Sequence, residues 1–227
     1  MDLGRVLDGF AGECEALGRG LEGVAETDWE RPTRCDPWTV RELVGHVCVV
    51  LGWLPGMLDA EAPRQPEVSP AEYYRPDHRF DAATNATRID LGRRRVEEVP
   101  AGALAAEFTK VWSDVETCCR PEPDDRVVRT RHGDAMLLSD FLVTRVVEVA
   151  VHGLDLADAL AIEPWLTPAA GDVVLGLLLG GVAGAARVNE LGWSQARALR
   201  KTTGREALTA EEPERLDQLG IRWLALG

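Results

Sequence analysis

Apolar residues recur with helical period along most of this chain. Between Leu3 and Val24 they keep that period, and Asp2 stands where an N-cap belongs, so a first helix is predicted over residues 2–25. A second helix is predicted over residues 39–60, where Thr39 and Glu42 have the spacing of a capping box. One polar residue of this second helix, His46, falls on its apolar, inner face.

The rest of the pattern also favours helices. Residues 61–80 hold four Pro and predict a long loop, and residues 81–98 predict a charged helix. Pro100 opens a helix whose apolar positions have the seam spacing of a bundle. Further helices are predicted over residues 137–160 and 168–189 and in the tail, and Val127–Arg131 is the one weak strand candidate. We therefore expect a mainly all-α fold, a helical bundle with a C-terminal addition.

Composition narrows the classes of partner. The formal net charge of −13 argues against nucleic acid and anionic membrane surfaces, because both require clustered positive charge. The longest uncharged apolar run, Val173–Ala186, has 14 residues and is shorter than the ~20 that span a bilayer. No secretory signal is visible, so we expect a cytoplasmic protein. In a reducing compartment Cys14 and Cys48 are expected to be core thiols rather than disulfide partners. We expect a monomer or a homodimer.

Four charged or titratable residues interrupt the apolar segment "RVVEVAVHGLDLADAL". Arg145, Glu148, His152 and Asp155 follow one another at steps of three, four and three, which places them on one stripe of a helix. One interpretation is a solvent-exposed stripe on an otherwise buried helix. The other is a site, because Glu148 and His152 are four residues apart and their side chains can converge on one divalent cation.

His46 favours the second interpretation. A single histidine on an inner face is more often a structural core residue than a ligand. A His on one bundle helix facing a Glu/His pair on another is, however, how helical bundles build metal sites. Three protein ligands leave a coordination position open, as in catalytic zinc sites. Asp155 is expected to be solvated, or else to orient His152.

The remaining candidates are weaker. His78 and His132 lie beside charged residues in predicted loops and are expected to be exposed. Trp53 follows His46 by seven residues and is predicted to line a cavity, where it would contact a cofactor.

Two segments carry a resemblance to a known family. "DWERPTRCDPWTVRELVGH" resembles the N-terminal signature of the mycothiol-dependent maleylpyruvate isomerase family, and "RVVEVAVHGLDLADAL" resembles its second signature, R-x-x-E-x-x-x-H-x-x-D-L. The likeness covers about residues 3–162. It implies a DinB-like four-helix bundle over residues 1–162, followed by a C-terminal helical extension over residues 163–227. It also implies that His46, Glu148 and His152 bind the metal, usually zinc.

The same resemblance implies a chemistry. Family members use mycothiol, so we expect a zinc-dependent thiol transferase or thiol-dependent isomerase that acts on a small electrophile. The isomerases take an arginine from their second domain, for which Arg200, Arg205 and Arg222 are candidates here, and we predict Arg222 as the catalytic one. Two alternatives remain: a hydrolase that uses the same metal to activate water, and a non-catalytic metal- or ligand-binding bundle.

Overall fold

The first helix of the computed structural model begins where the sequence predicts it. The structure describes residues 2–181, 186 and 188–226. Helix α1 spans Leu3–Glu22, and the Asp2 side chain caps it by accepting a hydrogen bond from the Arg5 amide. In α2, Val40–Leu51, Thr39 and Glu42 form the predicted capping box. These caps satisfy amides that the first turn of a helix leaves without partners.

The described part of the chain is mainly helical. After α2 follow α3 (Trp53–Asp59), α4 (Pro70–Tyr73), α5 (Ala82–Val96), α6 (Leu104–Cys119), α7 (Leu138–Leu160), α8 (Pro168–Leu178), α9 (Gln195–Thr202) and α10 (Glu212–Leu219). Short 3₁₀ turns lie at Glu26–Glu30, His78–Phe80, Ala101–Ala103 and Asn189–Leu191. One antiparallel hairpin pairs β1, Val127–Arg129, with β2, Ala135–Leu137.

Four of these helices form the bundle. Helix α1 packs against α6 and α7, and α2 packs against the same two helices, so the order around the bundle is α1, α6, α2, α7. The interior is apolar; Phe10, Phe108 and Phe141 are completely buried in it. Helix α7 has buried residues on every face, because α8 and α9 also pack against it. This position turns the polar stripe of α7 away from solvent.

Helix α5 packs on the outer side of α2 at a close crossing. A Cβ atom added at Gly45 would lie 2.3 Å from the carbonyl oxygen of Gly92, and one added at Gly92 would lie 3.2 Å from the His46 amide. Only two glycines allow the backbones to approach this closely. The crossing therefore fixes the segment of α2 that carries His46.

The C-terminal segment is joined to the bundle by a buried carboxylate. Glu13 of α1, 1% exposed, accepts hydrogen bonds from the amide and the hydroxyl of Thr167, at 2.8 and 2.7 Å. Thr167 is also the N-cap of α8. One residue thus ties the start of the C-terminal segment to the first helix of the bundle.

Some predicted boundaries differ from the structure. The helix predicted over residues 39–60 is interrupted at Gly52, which ends α2 before α3 begins. The predicted loop at 61–80 contains α4, capped by Ser69, and the hairpin partner β2 and helix α9 were not predicted. Helix α8 ends at Leu178, ahead of Gly180 and Gly181 at φ 73° and 108°. Of the remainder of the predicted helix 168–189, residues 182–185 and 187 lie outside the described residues.

In the described ranges, one helical stretch, Val40–Asp59, is long and apolar enough by length and composition to cross a membrane. Of its apolar window, 56% is buried inside the protein, as in a core helix.

Candidate metal centre

The polar stripe of α7 faces the protein interior. Arg145 is 1% exposed and Asp155 is fully buried, which makes the solvent-exposed interpretation wrong. Arg145 donates a hydrogen bond to the carbonyl oxygen of Val50 and two to Thr144 Oγ1. A buried guanidinium is tolerated because its donors have these acceptors. The stripe is therefore built from paired groups, not from solvated ones.

His46, Glu148 and His152 meet where α2 faces α7. The Oε2 atom of Glu148 lies 3.4 Å from His46 Nε2 and 3.3 Å from His152 Nε2. One donor atom from each residue lies within 4.8 Å of the other two. His46 is 5% exposed, whereas the side chains of Glu148 and His152 are 20% and 14% exposed. The cluster is thus partly open on the α7 side.

A second set of contacts fixes the other edge of His152. Its Nδ1 atom lies 3.0 Å from Asp155 Oδ2. Arg205 donates to both oxygens of the same carboxylate, Nε to Oδ1 at 2.7 Å and Nη2 to Oδ2 at 2.6 Å. Cys35 Sγ donates to Oδ2 at 3.2 Å. The expectation that Asp155 is solvated is wrong, because Arg205 and the turn around Cys35 cover it.

The pKa values of this cluster reflect burial opposed by pairing. Burial lowers the pKa of His46, which keeps its imidazole neutral. Burial also raises the pKa of Glu148, but hydrogen bonds from His152 and His46 and the charge of Arg145 outweigh it and hold that pKa well below its usual range. For His152, burial lowers the pKa, but Asp155, Cys35 and Glu148 raise it well above its ordinary value. Glu148 is thus an ionised carboxylate between two imidazoles.

The donor set fits a divalent cation. Asp155 can only accept, so one hydrogen of His152 belongs on Nδ1, and a bound cation would replace the proton that Nε2 shares with Glu148. Two imidazole nitrogens and one carboxylate oxygen are a ligand set that zinc accepts in catalytic sites. A second cluster of possible ligands, Cys35, His152 and Asp155, fits less well, because Arg205 already neutralises its carboxylate.

A cavity of about 650 Å³ adjoins these residues. His46, Glu148 and His152 all line it, and Trp38 stacks on the His46 ring with centroids 4.4 Å apart. Trp53, predicted as a cavity residue, also lines it. The cavity has the size of a small-molecule site, and its walls combine aromatic rings with a few polar groups.

The cavity is positively charged although the chain is acidic. Its charged lining residues are four arginines, Arg79, Arg88, Arg145 and Arg205, and one carboxylate, Glu148. Two of these arginines are neutralised, Arg79 by Asp134 and Arg205 by Asp155. Arg88 of α5 lies over the Phe80 ring and donates to the Asn85 side chain. It has no carboxylate partner among the residues that the structure describes.

Other sequence-predicted residues lie elsewhere or differ in exposure. His78 is exposed as expected, but His132 is half-buried and lines the cavity, so its expected exposure is wrong. His132 lies in the turn between β1 and β2, and this hairpin places it at the cavity. The sequence predicted a strand at β1 but none at β2. The structure does not bring Arg222 to the cavity; its side chain is 75% exposed and paired with Asp217. Arg88 was missed, since no periodicity distinguishes it from other charged residues of α5.

Comparisons with known proteins concern the family and the fold of this chain. Residues 10–157 match the family model described as the mycothiol maleylpyruvate isomerase N-terminal domain. Among curated proteins no match was found. A solved structure of a mutant of the mycothiol-dependent maleylpyruvate isomerase aligns with a TM-score of 0.50 and 17% identity, over 69% of this chain and 61% of that one. Another structure of that isomerase aligns with a TM-score of 0.49 and 19% identity, with the same coverage.

The first of these two likenesses shows the fold. This chain spans 61% of each isomerase structure, which is less than two thirds. The fold is mainly all-α, a DinB-like four-helix bundle followed by a short C-terminal helical segment. The family match extends over more than half of the chain and includes His46, Glu148 and His152. The chain therefore belongs to the mycothiol maleylpyruvate isomerase N-terminal domain family.

Proposed function

We propose that this chain is a metal-dependent enzyme in which a small thiol of the mycothiol type reacts with a small anionic electrophile. The observation that carries the proposal is the convergence of His46, Glu148 and His152 on the wall of one cavity. The family match and the names of the solved isomerase structures support the thiol and the class of electrophile. In this proposal residues 1–162 hold the metal and residues 163–227 complete the cavity.

His46, Glu148 and His152 would hold the ion, which we propose to be zinc or another divalent metal. When bound, such an ion supplies positive charge that stabilises a thiolate at neutral pH, where a free thiol with a pKa near ~8.5 is mostly protonated. Asp155 holds the His152 ring in the orientation that presents Nε2 to the site. Trp38 packs on His46 and limits the access of water to it.

Arg88 is the residue that we assign to the electrophile. A half-buried guanidinium without a carboxylate partner in the described residues is suited to bind a carboxylate of the substrate. Because Arg88 and the three proposed ligands line one cavity, the electrophile would be held in the same space as the thiol. Sulfur forms a bond to one carbon of a conjugated double bond, and the π electrons move onto the neighbouring carbonyl oxygen. Rotation about the resulting carbon–carbon single bond, followed by return of the electrons to that bond and departure of the thiolate, gives an isomer. Capture of a proton at carbon instead gives a thioether conjugate.

The proposal is tested with metal-loaded protein, mycothiol and maleylpyruvate as the probe electrophile, with products read by mass spectrometry. Turnover should require both the thiol and the ion. Replacing mycothiol with buffer should abolish product formation, and so should removing the metal with a chelator. Product formed without thiol, with uptake of water, would contradict the proposal and favour a hydrolase.

Arg88→Met should raise KM for the anionic electrophile by about 10–100-fold, because hydrogen bonds to charged groups contribute ~1.5–3 kcal/mol. The thiol KM should change little. Arg94→Met is the matched control, since Arg94 lies on the same helix, is 71% exposed and pairs with Asp90. Equal effects of the two substitutions would contradict the assignment of Arg88.

A further inference from the structure

The contact between Arg205 and Asp155 joins the C-terminal segment to the candidate metal centre. Arg205 binds the buried carboxylate through two hydrogen bonds of 2.7 and 2.6 Å, and that carboxylate lies 3.0 Å from His152 Nδ1. His152 Nε2 lies on the opposite side of the same ring, 3.3 Å from Glu148. A continuous chain of contacts therefore runs from Arg205 to the atom that we assign to the metal.

Local structure holds Arg205 in place. Helix α9 ends at Thr202, and Gly204, at φ 70°, reverses the backbone, a conformation that favours glycine. The Arg205 amide then donates to the carbonyl oxygen of Arg200, and its Nη1 donates to the carbonyl oxygen of Thr203. From the bundle side, Arg34 donates to the carbonyl oxygens of Gly204 and Arg205. The turn that presents Arg205 is thus fixed by both segments of the chain.

We infer that Arg205 is a positioning residue through which the C-terminal segment sets the metal affinity of the bundle. The inference rests on the proposed metal site. The carboxylate of Asp155 is fully buried, and a buried carboxylate needs hydrogen-bond donors to satisfy and fix its oxygens. Arg205 supplies two of these donors, whereas Arg34 lies 3.9 Å away, beyond hydrogen-bonding distance. Without Arg205, Asp155 keeps only the weak Cys35 thiol donor beside His152, so its carboxylate, and with it the His152 ring, is held less firmly.

The same two segments contain a matched control. Arg200 of α9 forms a bidentate pair with Asp158 of α7, at 2.5 and 2.7 Å. This pair also joins the C-terminal segment to α7, but in the described part of the chain no hydrogen bond or ion pair leads from the Asp158 side chain to His46, Glu148 or His152. A residue that only attaches the segment should behave like Arg200, and a positioning residue should not.

The test is the dissociation constant for Zn²⁺, measured by competition with a chromogenic chelator on the full chain. Arg205→Met should weaken Zn²⁺ binding by about 10–100-fold, the usual effect of losing a residue that orients a metal-binding histidine. Arg205→Lys, which keeps the charge but not the bidentate geometry, should lie between Arg205→Met and wild type. Arg200→Met should bind Zn²⁺ within about twofold of wild type, since the Arg200 side chain forms no hydrogen bond with Asp155 and its backbone contact with Arg205 is kept.

The melting temperature of each variant is measured alongside the titrations to establish whether the protein is folded. Wild-type affinity in folded Arg205→Met, or an equal loss in Arg200→Met, would overturn the inference and leave the metal site intact. Wild-type protein that binds no Zn²⁺ would overturn the metal site and the inference together. If Arg205→Met does not fold, Arg205→Lys decides: weaker Zn²⁺ binding supports the inference and unchanged binding overturns it.

Discussion

At the scale of single residues, Glu148 determines which chemistry the cavity can support. Its carboxylate lies between two imidazole nitrogens, 3.4 Å from one and 3.3 Å from the other. In that place it can act as a ligand, or it can act as a base beside an ion held by the two histidines. The sequence predicted that the three side chains converge, from the step of four between Glu148 and His152 and from the inner-face position of His46. It did not predict that Arg145 and Asp155 are buried, because the groups that cover them lie far away in the sequence.

Glu148→Gln separates the two roles. The substitution keeps the size of the side chain but replaces an anionic ligand with a weak amide donor, so we expect metal affinity and activity to fall together. Excess Zn²⁺ should restore part of the activity, because the defect is mainly in occupancy. The measurement is metal content and rate across a range of added Zn²⁺.

A general base would give a different result. Its amide variant keeps the metal and loses turnover, typically by ~10²–10⁴-fold. Full occupancy with an inactive Glu148→Gln variant would therefore contradict the role of Glu148 as a ligand.

At the scale of helices, the sequence predicts where a helix begins better than it predicts which helices contact one another. Asp2 and the pair Thr39 and Glu42 mark the beginnings of α1 and α2 because capping depends on neighbours within four residues. The crossing of α2 and α5 depends on Gly45 and Gly92, which are distant in the sequence. Nothing near Gly45 in the chain distinguishes it from a glycine such as Gly56, around which there is open space.

Gly45→Ala should therefore destabilise the protein, whereas Gly56→Ala should not. A Cβ atom at Gly45 would collide with the Gly92 carbonyl oxygen and force α5 away from α2. Such overpacking costs about 1–3 kcal/mol. Gly56 lies in α3, where alanine is favoured over glycine, so Gly56→Ala should be neutral or stabilise by up to about 1 kcal/mol. Urea denaturation of both variants measures the difference, and equal stabilities would contradict the close crossing.

At the scale of the whole molecule, the cavity is a product of long-range packing. Its wall combines residues of α2 and α7 with Arg88 of α5, His132 of the hairpin, and Arg205 of the C-terminal segment. The net charge of −13 is a sum over the whole chain, so it does not reveal that the cavity lining is positively charged. For the same reason, the family resemblance made Arg200, Arg205 and Arg222 candidates and we predicted Arg222, whereas Arg205 is the one that lines the cavity.

The central claim, that the bundle and its C-terminal segment build a metal centre, has a direct measurement. Elemental analysis of the protein purified without a His tag should find about one divalent ion per chain, because three protein ligands are available to hold it. His46→Ala should carry only trace metal. His78→Ala is the matched control, because His78 is 68% exposed and lies outside the cavity lining, and it should retain the wild-type content. Equal, trace metal in wild type and His46→Ala would contradict the claim.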